Sequence, residues 1–156
     1  MKDDLETISE DYRLLWSKCT EEQKQKIYQI RENVRKNPAK YGLVAFEEAV
    51  MCLSKYNKIR ELVSFPKETR IIDCGCGEGL QQVLFQDCRA YIGIDLNHKP
   101  KSLNPNCTFI QGNIKDVLNE LTITRKDFGI SVLCCSYSQD DVLDVFKQKF
   151  TKFVSI

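Results

Sequence analysis

The sequence predicts an α/β protein: an open, doubly wound, mostly parallel sheet of about five strands behind an N-terminal helical segment. Two observations support this fold class. Residues up to Val63 follow a helical period, and from Arg70 onward short apolar runs alternate with helix-compatible stretches. Strands that alternate with helices favour parallel pairing through right-handed crossovers, with helices on both faces of the sheet.

The N-terminal segment contains two recognisable helix starts. Thr20 and Gln23 match a capping box, and Asn37-Pro38 places an N-cap residue before a proline in the first turn. Ser64-Phe65-Pro66 ends this part, because proline cannot continue a helix. We expect residues 1–65 to pack on a core formed by residues 66–156, giving one structural domain of 156 residues overall.

The remaining elements follow from the change of period. The predicted strands are 70–74, 90–94, 108–111, 129–134 and 152–156. The predicted helices between them are 80–87, 114–121 and 139–150. Pro100 and Pro105 limit any helix in the connection after Asp95 to a short one.

The composition bounds the function. Lys+Arg 23 against Asp+Glu 22 gives a net charge of +1, so the overall charge favours neither a polyanion nor a membrane as partner. No apolar run approaches the roughly 20 residues of a membrane span, and the acidic N-terminus does not resemble a secretory signal. We therefore expect a cytoplasmic protein.

The eight cysteines point to neither a disulfide framework nor a metal site. The sequence has no Cys-x-x-Cys pair and only one histidine, His98. Several cysteines lie in apolar runs, where a reduced thiol behaves as a small hydrophobic group. We expect free thiols and no bound metal, and vicinal Cys134-Cys135 is read as core packing.

The chemistry-bearing motif is Asp73-Cys74-Gly75-Cys76-Gly77-Glu78-Gly79, between a predicted strand and a predicted helix. Ligands of doubly wound sheets bind beyond the carboxyl ends of the strands. Gly75 and Gly77 allow backbone angles closed to other residues, and Asp73 is placed to accept hydrogen bonds from a cationic group. Asp95 follows Gly79 by 16 residues and is placed to accept ribose hydroxyls.

The spacing G-x-G-x-G differs from the G-x-G-x-x-G of dinucleotide sites, whose third glycine would fall on Leu80. An acidic Asp73 before the glycines would also repel a pyrophosphate. Charge and spacing therefore favour a sulfonium nucleoside over a dinucleotide, and a nicotinamide-dependent reductase remains the less favoured alternative.

The motif resembles motif I of class I S-adenosylmethionine-dependent methyltransferases, whose fold is Rossmann-like. The resemblance implies that the main chain of Gly75–Gly77 packs on the methionine moiety and that Leu96 lies beside the adenine. It also implies an adenine contact at Gly112-Asn113-Ile114, with an amide where the family often has an acid. The cofactor-binding residues so predicted are Asp73, Gly75, Cys76, Gly77, Asp95, Leu96, Asn113, Ile114 and Cys135.

The implied activity is methyl transfer from S-adenosylmethionine to an unidentified acceptor. Ser136 and Tyr137, after the fourth strand, would border the transfer site, and no general base can be named. The family's Asn/Asp-Pro-Pro-aromatic motif is absent from this stretch, and the family fold continues past the fifth strand. The alternative is therefore a truncated, non-catalytic module that binds S-adenosylmethionine or a protein partner.

Three further features have two interpretations each. Tyr41 and Phe46 fit either a lid over the cofactor or core packing, and His98 fits a solvated loop residue better than a ligand contact. Residues 18–40 carry seven basic side chains, which favour a solvated helix surface over a nucleic-acid face. An open sheet edge would allow a homodimer.

Overall fold

The computed structural model describes residues 10–41, 45–132, 134 and 141–156, and its strands form one five-stranded parallel sheet. The strand order is β3-β2-β1-β4-β5, which confirms the predicted α/β, Rossmann-like, doubly wound fold. The strands are β1 Arg70–Cys74, β2 Ala90–Asp95, β3 Cys107–Gln111, β4 Asp127–Ser131 and β5 Phe153–Ser155.

The helices before the sheet are shorter than the periodicity suggests. Among the described residues they are α1 Glu10–Ser17, α2 Glu21–Lys36, α3 Pro38–Tyr41, α4 Ala45–Met51 and α5 Leu53–Leu62. The predicted capping box is present: Gln23 N donates to Thr20 Oγ1 at 3.2 Å, and Thr20 N donates to Gln23 Oε1 at 3.0 Å. Within the described residues, no helix has the length and apolar character needed to cross a membrane.

Within the sheet half, a 3-10 helix at Leu80–Phe85 follows β1, α6 Ile114–Glu120 follows β3, and α7 Val142–Lys149 follows β4. The element after β1 was predicted as an ordinary helix over 80–87. The tighter form is consistent with Gly79, which caps it in the left-handed conformation at φ 71°. The fourth strand ends at Ser131 rather than at Cys134.

The sheet buries apolar side chains on both faces. On one face, α1, α2, α4, α5 and the 3-10 helix pack through residues such as Leu15, Phe46 and Phe85. On the other face, α6 and α7 cover Ile72 and Ile94 of the strands through Leu118 and Phe146. Phe46 is 1% exposed, so it belongs to the core, whereas the side chain of Tyr41 lies outside the described part.

The cysteines agree with the expected reduced thiols. All seven described cysteines are free, and four of them are buried. Burial raises the pKa of Cys19 to about 11 and that of Cys107 to about 12, so these thiols stay protonated at neutral pH. The four buried thiols are Cys74, Cys76, Cys88 and Cys107.

Candidate functional site

A cleft of about 240 Å³ opens at the carboxyl end of β1, beside the neighbouring strand β4. This is where the strand order reverses, because β2 follows β1 on one side and β4 lies on the other. We call it the switch-point cleft. Its walls come from α4, α5, the turn after β1, the 3-10 helix, the loop after β2 and the end of β4. The lining residues are Glu48, Ala49, Cys52, Tyr56, Gly75, Cys76, Gly77, Glu78, Gln81, His98 and Val132.

Two glycines of the turn differ in the space around their Cα atoms. Gly75 has φ 83°, and a side chain there would overlap the side chain of Cys134. Gly77 has φ 55°, and a Cβ built on it meets no atom within 4 Å. Gly75 is therefore required by packing, whereas Gly77 leaves open space in the wall of the cleft.

The amides of this turn bind the end of β2. Gly75 N and Cys76 N both donate to Ile94 O, at 2.7 and 3.0 Å, and Gly77 N donates to Asp95 Oδ2 at 2.9 Å. These three N–H groups, which are the atoms that a glycine turn commonly offers to a ligand, are thus already used within the protein.

Asp73 is fully buried behind the cleft rather than exposed in it. Its Oδ1 accepts a hydrogen bond from the Tyr56 hydroxyl at 3.0 Å, and its Oδ2 accepts one from Gln81 Nε2 at 2.7 Å. The Tyr91 hydroxyl donates to the same Oδ2. Tyr56 and Gln81 line the cleft whereas Asp73 does not, so these two side chains connect the carboxylate to the cleft.

The environment of Asp73 changes its acidity. Burial raises the pKa of Asp73 to about 6, although the hydrogen bonds from Gln81, Tyr91 and Tyr56 favour the charged form. In turn, burial and the neighbouring carboxylate raise the pKa of Tyr56 and Tyr91 well above the usual value. Both tyrosines therefore remain hydrogen-bond donors over the whole neutral range.

Asp95 holds two loops together. Besides accepting from Gly77 N, it accepts through Oδ1 from Asn97 N at 2.9 Å and from His98 N at 3.2 Å. Among the described residues, the hydrogen bonds of its carboxylate thus come from the turn after β1 and from the loop after β2. It is absent from the lining of the cleft, and its predicted contact with ribose hydroxyls stays a prediction.

The other predicted residues are not gathered at the cleft. Leu96 is 58% exposed, and the Asn113 side chain caps α6 by accepting from Asp116 N at 3.2 Å. Ile114 begins that helix and packs in the core under α6 and α7. Of the nine predicted positions, the cleft brings together Gly75, Cys76 and Gly77. Cys135, Ser136 and Tyr137 lie outside the described residues.

A carboxylate and an imidazole meet at the cleft. Glu78 Oε1 lies 2.9 Å from His98 Nδ1, with 11% of the Glu78 side chain and 26% of the His98 side chain exposed. The adjacent Glu78 carboxylate raises the pKa of His98 above its usual value, against the opposing effect of burial. The imidazolium is therefore populated at higher pH than in a free histidine, in a position that a ligand can reach.

Apart from His98, the polar side chains that line the cleft offer mainly oxygen atoms that can accept hydrogen bonds from a ligand. Gln81 Nε2 donates to Asp73 Oδ2 and to Cys76 O, which fixes the orientation of the amide. Among the hydrogen bonds of the described residues, none ends on Gln81 Oε1. With the carboxylates of Glu48 and Glu78, this oxygen makes the cleft suited to groups that carry N–H or O–H donors.

The structure offers no metal site in the part of the chain that it describes. No group of three or more His, Cys, Asp or Glu side chains comes together there in a way that could hold a metal ion. The pair of Glu78 and His98 thus has no third ligand of this kind beside it among the described residues.

No family model matches the chain, and no curated protein does. The fold resembles the solved structure of precorrin-8W decarboxylase from Methanobacterium thermoautotrophicum, with a TM-score of 0.51 and 19% sequence identity. The match covers 63% of this chain and 57% of that one, so the chain spans little more than half of the enzyme's length. At this identity the likeness shows the fold, and the protein that shares it is an enzyme.

These findings correct the functional prediction. The protein of similar fold is named a decarboxylase and no methyltransferase family model matches, so the prediction of a class I methyltransferase is wrong. The prediction of S-adenosylmethionine as the cofactor is wrong as well, and so is the alternative of a non-catalytic module that binds it. The physical reason lies at Asp73: its charge favoured a sulfonium ligand, yet it is fully buried and bonded to Tyr56, Gln81 and Tyr91.

The sequence predicted no functional role for several of the cleft residues. Glu78 lay inside the glycine motif with no role of its own, and His98 was interpreted as a solvated loop residue, whereas its side chain is 26% exposed and lies against Glu78. Tyr56 and Gln81 carried no local signal, because their role depends on the packing of α5 and the 3-10 helix against β1.

Proposed function

We propose that this protein is an enzyme that binds a small organic substrate in the switch-point cleft and transfers a proton to it from His98. The observation that carries the proposal is the 2.9 Å pair of Glu78 and His98 in a cleft at the strand reversal. Histidine is the side chain best suited to exchange protons near neutral pH.

The residues of the cleft would divide the work. Gln81 Oε1 and Glu48 accept hydrogen bonds from hydroxyl or amino groups of the substrate, and Gly77 leaves the space for it. Glu78 lies beside Nδ1 of the imidazole, and His98 would supply its proton to the reacting atom. Asp73 is a positioning residue, because it accepts hydrogen bonds from Gln81 and Tyr56 and so fixes their side chains in the wall of the cleft.

Decarboxylation is one reaction that fits these roles, and the protein of similar fold is named a decarboxylase. In that reaction the bond between a carbon and its carboxylate breaks, carbon dioxide leaves, and the electron pair remains on the substrate carbon. The imidazolium of His98 would donate its proton to that carbon, and solvent would reprotonate the imidazole.

The test compares metabolite extracts incubated with the protein and with its variants, followed by mass spectrometry. We expect the wild-type protein to deplete at least one small molecule and to form a product that is absent with heat-denatured protein. His98→Gln should reduce this conversion by roughly 100-fold, the lower end of what general acid catalysis contributes.

Two variants make the result specific. Asn97→Gln alters an exposed neighbour of His98 and should convert the same compound at the wild-type rate. Gly77→Ala places a methyl group in the cleft and should impair binding of that compound. Equal conversion by His98→Gln and the wild type, or no conversion beyond the heat-denatured control, would disprove the proposed activity.

A further inference from the structure

A second cavity adjoins the switch-point cleft and shares Glu78 with it. It has a volume of about 370 Å³ and lies between α2 and the loop that follows β2. Helix α2 contributes Lys26, Gln29, Ile30 and Asn33, and the loop contributes residues 99–102. We call it the lysine groove, because Lys26, Lys99 and Lys101 line it.

Buried amides fix the loop wall of this groove. Gln82 is fully buried, accepts from Leu103 N at 2.7 Å and donates to Lys101 O at 3.1 Å. Gln23, at the start of α2, donates to Leu103 O at 3.2 Å and to Asn104 Oδ1 at 2.6 Å. The helix and the loop are thus joined by side chains in the interior, so the groove is formed before any ligand arrives.

The loop is also held from the side of the glycine turn. A Cβ on Gly79 would approach Pro100 Cγ to 2.9 Å, so the absence of a side chain lets the proline pack on the turn. This contact keeps Lys99 and Lys101 beside the segment that carries Glu78. The lysines therefore have a defined position relative to the switch-point cleft.

The charge of the groove is positive. Within the described residues neither Lys99 nor Lys101 takes part in an ion pair, and Lys26 lies 3.4 Å from the exposed Glu22 carboxylate. Glu78 is the acidic residue of the lining, and His98 stands against its carboxylate. An anion entering the groove would therefore meet an excess of ammonium groups.

We infer that the lysine groove binds an anionic group of the substrate, a phosphate or a carboxylate, while the donor-bearing end of the molecule occupies the switch-point cleft. This inference rests on the proposed function for the link between the two cavities. The shared residue Glu78 sets the path of the substrate, which runs past His98 from one cavity to the other.

Inorganic phosphate and acetate are suitable probes, because each represents one of the two anionic groups. We would titrate each into isotope-labelled protein at constant ionic strength and follow the backbone amide resonances by NMR. The expected result is a saturable shift of residues 99–102 and of the facing turns of α2 with at least one of the two anions. Which anion binds identifies the group.

The matched variants are the double substitutions Lys99→Gln/Lys101→Gln and Lys147→Gln/Lys149→Gln. The second pair lies on α7, which covers the other face of the sheet. We expect the Lys99/Lys101 variant to bind the anion about tenfold more weakly, because two nearby charges are lost. The Lys147/Lys149 variant should change the affinity by less than about twofold, because its lost charges are remote from the groove and screened by salt. No saturable shift with either anion, or the same affinity in the first double variant, would overturn the inference.

The proposed activity in the switch-point cleft and the proposed anion binding in the lysine groove can be disproved independently. Gly77→Ala obstructs the switch-point cleft but does not touch the groove, so it should leave the phosphate and acetate titrations unchanged. If no extract compound is converted while the anion still binds through Lys99 and Lys101, the groove stands as an anion site and the proposed activity does not. Anion binding lost in Gly77→Ala as well would contradict a separate groove.

Discussion

The Tyr56 hydroxyl and the Asp73 carboxylate meet at 3.0 Å in the interior, where α5 crosses the carboxyl end of β1. Tyr91 of the neighbouring strand β2 and Gln81 of the 3-10 helix donate to the same carboxylate. One side chain therefore links four elements of the fold. A buried carboxylate with three donors is stable only while all of them stay in place.

We predict that Asp73 makes the protein less stable as the pH rises. Its pKa in the folded protein is about 6 against an ordinary value of 3.8, so the folded protein holds this proton more tightly than the unfolded chain. The stabilisation is complete below about pH 4 and is lost as the pH passes 6, by roughly 3 kcal/mol at ~1.4 kcal/mol per pKa unit. Urea unfolding between pH 4 and 7.5 would measure it.

Asp73→Asn should abolish this loss of free energy of unfolding between pH 4 and 6. The control is Asp144→Asn, which changes an exposed carboxylate of α7 and should leave the slope as in the wild type. A slope that is the same in the wild type and in Asp73→Asn would show that the buried carboxyl group does not titrate in this range.

Tyr56→Phe should lower the free energy of unfolding at pH 7.5 by about 2 kcal/mol, because a hydrogen bond to a buried charged group is lost. The double variant Tyr56→Phe/Asp73→Asn tests whether this stabilisation comes from the contact with Asp73. If the two residues act through their contact, the effects should fall short of additivity by at least about 1 kcal/mol. Additive effects in urea unfolding would mean that Tyr56 stabilises the fold in another way.

Two glycine substitutions should differ in their cost. Gly75→Ala adds a methyl group that overlaps Cys134 at φ 83°, and we expect a loss of about 3 kcal/mol from strain and overpacking together. Gly77→Ala has φ 55° and open space, so a loss of about 1 kcal/mol is expected. Chemical denaturation of both variants measures the difference, and equal losses would contradict the distinct tasks of the two glycines.

Gln82→Met should destabilise the protein by about 2 kcal/mol, because Leu103 N and Lys101 O lose their buried partner. The loop at 99–103 should open more often, so the amide of Leu103 should exchange with solvent faster than in the wild type. Hydrogen exchange followed by NMR provides the measurement. Gln25→Met, on the exposed side of α2, is the control and should leave that exchange rate unchanged.

The sequence was sufficient for the sheet but not for the site. The strand at Arg70–Cys74 and its successors were recognisable because each is a short apolar run bounded by turn residues. The break between α4 and α5 at Cys52 was not, since the apolar period continues through it. Helix shortening of this kind depends on tertiary packing rather than on local preference.

The role of Asp73 could not be read from its neighbours in the chain. Its position before the glycines suggested a ligand contact, whereas its partners Tyr56 and Tyr91 lie 17 and 18 residues away. Only the assembled fold shows that these hydroxyls converge on the carboxylate and remove it from the cleft. The choice of a sulfonium ligand failed for this reason.

Asp95 accepts hydrogen bonds from Gly77 on one side and from Asn97 and His98 on the other. The turn that borders the switch-point cleft and the loop that leads into the lysine groove are therefore fastened to one carboxylate. The positions of the two cavities relative to each other therefore depend on this one side chain.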